Sequence, residues 1–456
     1  MHRSLLLAAL LLCAAPISDA HAAFSAPVEL ASGVYGVAAA ADDEVTTSLV
    51  ATGAPGGPRL IERVTGEPWQ PGAPLPGAPD VAGPVVDAAG DRVLAIAWRV
   101  DDPRKYSGIA AAVRDPRGTL SEPIDIAGPE AGGVRHPTLA VDGAGDVLLA
   151  YTTGTRATHL NMRGAIAVAY RPAGGSFSTS VVVDREPSSA PVVALAPDGG
   201  GIVAWTRRGR LAAVSVESDG TIGTVKAFRS PAGVDGLVAA AGRGGAATLA
   251  WTSRRFVDAP PRLRARYYVG ALRRAAGHAF SGAAVVARTS DYVRGTALSA
   301  DEDGRVTLAW SEDHFGSDHK LGYNGITSAI RASRAAPGHD FGAPRTIASR
   351  GKAFRTPPVI AAAAGRVVLA WGYMAGRGHL GVQAAVGRAG RVGPAQAIAT
   401  TTRVSGVITA TPAISASIDP TGAATVVFVE PGPVGPRLLA VEGSPSVTYP
   451  APGTTP

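Results

Sequence analysis

The chain has 456 residues, 46% of them hydrophobic, with 57 glycines, 36 prolines, one cysteine and a formal net charge of +7. A single cysteine excludes a disulfide framework and any zinc-thiolate centre. The basic residues, nearly all arginine, are scattered over turns and strands rather than gathered in a run, a pattern that favours acidic partners and predicts no nucleic acid.

In chain order, a basic start (His2, Arg3), an apolar run from Leu5 to Ala15 and a small-x-small exit at Ala20-His21-Ala22 predict a secretory signal peptide over residues 1–22. Cys13 follows Leu11-Leu12, where a lipoprotein signal wants a small residue, so the expectation is a secreted, extracellular protein without a lipid anchor. No other stretch approaches the ~20 consecutive apolar residues of a spanning helix. The mature chain is therefore expected to be soluble, monomeric and free of thiols.

One segment then recurs: an apolar strand, a turn with Asp and Gly, and a second strand ending in Ala-Trp or a relative. It runs from Pro84 to Trp98, Pro137 to Tyr151, Pro191 to Trp205, Leu237 to Trp251, Thr296 to Trp310, Pro358 to Trp371 and Pro412 to Phe428. A degenerate copy, Val37-Ala38-Ala39 through Asp42-Asp43 to Leu49-Val50, precedes these. Each repeat continues with a third strand, as at Ile109 to Arg114 or Tyr267 to Leu272, and a fourth, as at Leu120 to Ile126, Phe177 to Val183 or Phe341 to Ile347. Four short strands per unit, punctuated by Gly and Pro, describe the blade of an all-β propeller. Counting the degenerate copy gives eight blades, and omitting it seven.

The last repeat ends after its third strand near Val441, while the mature chain opens on an orphan fourth strand. Phe24 to Ser32 echoes Phe341 to Ser349, so the N-terminal strand is expected to complete the final blade and close the ring. The expected organisation is a signal peptide over 1–22, one propeller over 23–443, and a Pro/Ser/Thr-rich tail over 444–456.

The repeated Asp, as in Asp142-Gly143-Ala144-Gly145, caps a hairpin turn by accepting backbone N–H bonds, because one carboxylate per hairpin cannot satisfy the roughly six to eight oxygens calcium wants. The Ala-Trp rings read as wedges between blades, with a sugar platform as the alternative. Arginine stands before the first strand at Arg135, Arg294 and Arg355, where an entry loop would gather three guanidinium groups over one funnel and offer a carboxylate or sulfate site. The long connection after Trp310, Ser311 to Tyr323, adds His314, His319, Asp313 and Asp318 on the same face. Those four are the alternative metal set, although the reading adopted assigns no metal and no cofactor.

Phe354-Arg355-Thr356-Pro357 and the arginines on separate blades resemble sialidases, which are propellers that hold a substrate carboxylate with three arginines. That resemblance implies Arg135, Arg294 and Arg355 as carboxylate ligands, Tyr323 as nucleophile and Asp313 as acid. Sialidases carry their Phe-Arg-x-Pro near the start of the domain and have Ser-x-Asp-x-Gly-x-x-Trp boxes; here the motif sits in a late repeat and the boxes are missing. Two readings follow: a secreted non-catalytic propeller that binds a ligand, an anionic glycan or a cell-surface partner, through Arg135, Arg294, Arg355, His314 and His319; or a diverged sialidase-like glycoside hydrolase or polysaccharide lyase using the arginine cluster.

Overall fold

A computed structural model describes residues 24–443 apart from 43–45, 54–56, 76–80, 91, 101–106, 117, 129–132, 155–163, 230–232, 258–264, 316–325, 352, 376–378, 389–390, 401–412 and 433–434. The expected signal peptide and tail lie outside the described residues.

Eight antiparallel sheets form the eight blades of a propeller. Numbered by their first strands, blade 1 starts at Gly36–Ala41, blade 2 at Val81–Ala89, blade 3 at Val134–Val141 and blade 4 at Val192–Leu195. Blades 5 to 8 start at Val234–Gly242, Tyr292–Ala300, Val359–Ala363 and Ile414–Ile418. Each first strand touches those of the next and the previous blade, and the strand of blade 8 returns to that of blade 1, so the ring is closed. No described helix is long and apolar enough to cross a membrane.

The N-terminal strand Val28–Ser32 pairs with Pro436–Gly443 as the outer strand of blade 8, with Val28 opposite Ala440 and Ser32 opposite Arg437. Ser25 donates its N–H to the Glu442 carbonyl at 2.7 Å and extends the junction. Sharing a blade between the chain ends gives the orphan strand a partner and removes an open edge.

Each second strand is a continuous apolar run because both of its faces are covered; Val93–Val100 and Gly201–Arg207 are buried nearly throughout. The aromatic ring that ends it packs against the preceding blade. Trp98 joins Val50 and Leu60 of blade 1, Trp251 joins Ala204 and Leu211 of blade 4, and Phe428 joins Val368 and Ala384 of blade 7. All of these rings are at most 2% exposed, which rules them out as sugar platforms. Gly270, opposite Trp251, makes room for the indole, which a Cβ there would approach to 2.6 Å.

The hairpin aspartates act as turn caps. Asp142 Oδ1 accepts the N–H groups of Ala144, Gly145 and Asp146 at 2.9–3.0 Å, and Asp419 Oδ1 accepts that of Ala423 at 2.9 Å. Some acidic groups at these hairpins also reach the next blade: Asp198 accepts from Gly244 N–H at 2.6 Å and Glu302 from Ala364 N–H at 2.6 Å.

Antiparallel order sends the loops to two faces. The entry face carries the connections into each first strand and the loops between second and third strands. The hairpin face carries the first-to-second and third-to-fourth turns.

Candidate functional site

On the entry face, blades 6 and 7 meet around a buried carboxylate. Arg294 donates Nη2 and Nε to Asp313 Oδ2 at 2.6 and 3.0 Å, and Ser328 donates its hydroxyl to Asp313 Oδ1 at 2.6 Å. Asp313 is fully buried, so both of its oxygens are engaged away from solvent. The Arg294 guanidinium also lies 4.1 Å from the centre of the Phe354 ring, an arrangement in which cation–π attraction adds to the ion pair. Arg355 is buried as well: its N–H meets Ser328 Oγ at 3.2 Å, and Nη1 donates to the Ser328 carbonyl. Burial pulls the Arg355 guanidinium below the usual arginine range, and the charge of Asp313 opposes that shift.

The structure brings Arg294 and Arg355 together through Asp313 and Ser328 but leaves Arg135 elsewhere. Arg135 belongs to blade 3, three blades from Arg294 and diametrically across the ring from Arg355. It is exposed, and its carbonyl accepts the Thr152 hydroxyl at 2.9 Å. Arg135 pairs with Thr152, one residue after Tyr151, whereas Arg355 pairs with Tyr373, two residues after Trp371. A one-residue shift turns a strand side chain to the other side, which accounts for the burial of Arg355.

Blade 3 has a further irregularity. His136 adopts φ 52° at the bulge where blades 2 and 5 place Gly83 and Gly236, also at positive φ. Burial, then the charges of Arg135 and Arg99, push the His136 imidazole below its ordinary value. In blade 6, His314 is half exposed, and its Nδ1 lies 2.9 Å from Oδ1 of the buried Asp291. His319, Tyr323 and Asp318 lie outside the described residues. Among the described residues no cluster of three acidic, histidine or cysteine side chains is arranged to hold a metal.

Sequence reasoning missed the rim of blade 5. Its second strand, Ala246–Phe256, runs out to the entry face as Arg254-Arg255-Phe256, and its third, Ala265–Arg274, returns through Arg266, Tyr267 and Tyr268. Arg255 stands directly opposite Arg266, Arg254 opposite Tyr267, and Tyr268 opposite Arg288 of the fourth strand. Arg254, Arg255, Arg266 and Arg288 are exposed, and among the described residues none is in an ion pair. Phe256 is 53% exposed, with Arg254 above its ring at 5.0 Å. The available signal was a pair of basic-aromatic runs, 254–256 and 266–268, facing each other across one loop.

No known family model and no curated protein matches the sequence. Solved structures with a similar fold include a polysaccharide lyase described as an ulvan lyase, at 12% identity and a TM-score of 0.49 over 91% of this chain and 95% of that one. A lectin from Burkholderia pseudomallei aligns at 12% identity and a TM-score of 0.46 over 82% of this chain and 100% of its own. A protein of unknown function from Dyadobacter fermentans aligns at 16% identity and a TM-score of 0.42 over 80% and 94%. Likeness at this level concerns the fold alone, and the count of eight blades rests on this chain's own sheets.

Proposed function

We propose that the protein is a secreted, non-catalytic binding propeller that takes an acidic glycan, free or displayed on a cell surface, on its entry face along the rim of blade 5. The observation that carries this reading is the Arg255–Arg266 pair. Like charges directly opposite one another destabilise a sheet by a few tenths of a kcal/mol to about 1 kcal/mol, and no described carboxylate offsets them. A chain of uronic or sulfated sugars supplies the missing anions to the two-pronged guanidinium groups. Exposed Phe256 and the half-buried rings of Tyr267 and Tyr268 offer apolar surface to sugar C–H faces. Arg135 and His314 stand on the same face and are available to a longer ligand.

The hydrolase or lyase alternative asks Asp313 to deliver a proton, and a carboxyl with no exposure and both oxygens engaged favours binding over catalysis.

Native gels cast with an acidic polysaccharide test the reading. The wild-type protein is expected to be retarded by uronic-acid or sulfated chains and to migrate freely through a neutral glucan. Arg255→Ala with Arg266→Ala is expected to weaken binding about tenfold or more, and added salt to weaken it further. Equal retardation in neutral and acidic gels, or a double variant that binds like wild type, overturns the proposal.

A further inference from the structure

On the hairpin face, a cavity of about 570 Å³ opens in the seam between blades 5 and 6. Its volume falls in the range of small-molecule pockets, about 300–1,000 Å³. The walls are largely small apolar side chains, among them Ala240, Ala247 and Ala276 of blade 5 and Ala300 and Val306 of blade 6. Arg273 enters this space from the third strand of blade 5.

The Arg273 guanidinium is tethered but not neutralised. Nη1 donates to the Ala336 carbonyl at 3.1 Å, Nε to Thr248 Oγ1 at 3.4 Å, and the group lies 5.7 Å from the centre of the Phe341 ring. Burial pulls it below the usual arginine range, and Asp340, beyond ion-pair distance, partly opposes that shift. No described carboxylate forms an ion pair with it. His278 and His339 add exposed donors at the mouth.

Arg273 is a half-buried cation outside any described ion pair, beside a mostly apolar cavity whose lining also holds Glu302, Asp303 and Asp340. An apolar body with one anionic end pairs with the guanidinium if its charge is held at the Arg273 end. We propose that this seam is a ligand site for a small organic acid, whose apolar part fills the alanine-walled space and whose carboxylate pairs with Arg273. It does not depend on the blade 5 rim, which lies on the opposite face.

Benzoate serves as the probe, titrated into the full chain by calorimetry or ligand-observed NMR. Binding is expected in the millimolar range, with sulfate and benzylammonium each at least about tenfold weaker, because one lacks the apolar body and the other has the wrong charge. Arg273→Gln is expected to weaken benzoate binding about tenfold or more. Ala276→Phe, at the exposed rim of the cavity, is expected to block it while leaving Arg273 in place, and its unchanged melting temperature separates occlusion from unfolding. Arg255→Ala with Arg266→Ala is expected to leave benzoate affinity unchanged. The proposal fails if benzoate does not bind at tens of millimolar, if Arg273→Gln and Ala276→Phe bind it as wild type does, or if benzylammonium or sulfate binds equally well.

Discussion

The seam between blades 3 and 4 and the seam between blades 5 and 6 share one backbone register but are filled differently. In the first, Tyr170 stands opposite Leu148, three residues before Tyr151; in the second, Arg273 stands opposite Thr248, three residues before Trp251. Tyr170 is 3% exposed, packs with Leu195, Val203 and Val216 of blade 4, and donates its hydroxyl to the Ser218 carbonyl at 2.9 Å. Gly220 lies so close to that ring that a Cβ would come within 2.4 Å of it. Arg273 instead leans on the Phe341 ring and bonds to Thr248 and the Ala336 carbonyl, and the cavity opens beside it. A repeat protein can thus keep its backbone constant and acquire a binding site by exchanging one wedge side chain.

Three experiments test that contrast. The largest effect is expected from Tyr170→Ala, which empties a solid seam and should lower stability by about 3–5 kcal/mol in denaturant unfolding; a loss below about 1 kcal/mol would show that the seam does not depend on the ring. Next comes the seam between blades 2 and 3, which is joined by Asp87 through the Val141 N–H at 3.0 Å. Burial raises the Asp87 carboxyl to about 6, against the opposing pull of hydrogen bonds from Val141 and Ala88. From about pH 4 to about pH 6 the folded chain keeps a proton that the unfolded chain has lost, so this group makes stability fall as pH rises through that window, by up to about 3 kcal/mol. Asp87→Asn should flatten that part of the stability–pH curve, and an unchanged slope would assign it to other groups. The smallest effect is expected from Arg273→Phe, which makes the hollow seam resemble the solid one; a gain of about 1 kcal/mol together with loss of benzoate binding would mark the cavity as a vacancy left by side-chain size.

The fold was legible because strand alternation, hairpin aspartates and Ala-Trp ends recur at spacings that local physics fixes. The pairing of the N-terminal strand with blade 8 followed from the echo of Phe341 to Ser349 in Phe24 to Ser32. Fourth strands were placed too early: the one expected from Leu120 is Ile124–Ala127, and the one expected from Phe341 is Arg345–Gly351. The residues before them, such as Ser121 and Gly342, bond back to the third strand without joining the ladder, through Val113 and Arg334. Blade 1 was readable only in part, since Arg59–Val64 and Ala73–Pro74 lack the apolar signature of their counterparts.

Side-chain direction at the site was harder to read. Bulges in blades 2, 3, 5 and 6 shift the register near the start of the first strand, so three arginines that align by eye occupy two different strand positions. The cavity was out of reach for a related reason. It is defined by what Ala240, Ala247 and Ala300 do not fill, and small residues carry no pattern until facing blades are known to meet.

The shared blade ties the fate of the molecule to its two ends. Val28–Ser32 must wait for Pro436–Gly443, more than 400 positions later, before it has a hydrogen-bonding partner. Contacts of such long range are slow to form, so a growing chain passes through a stage in which seven sheets can be laid down while the circle is still a crescent with adhesive tips. A chain cut short before Pro436 loses every residue with which Val28–Ser32 pairs in the closed ring, and the clasp with them.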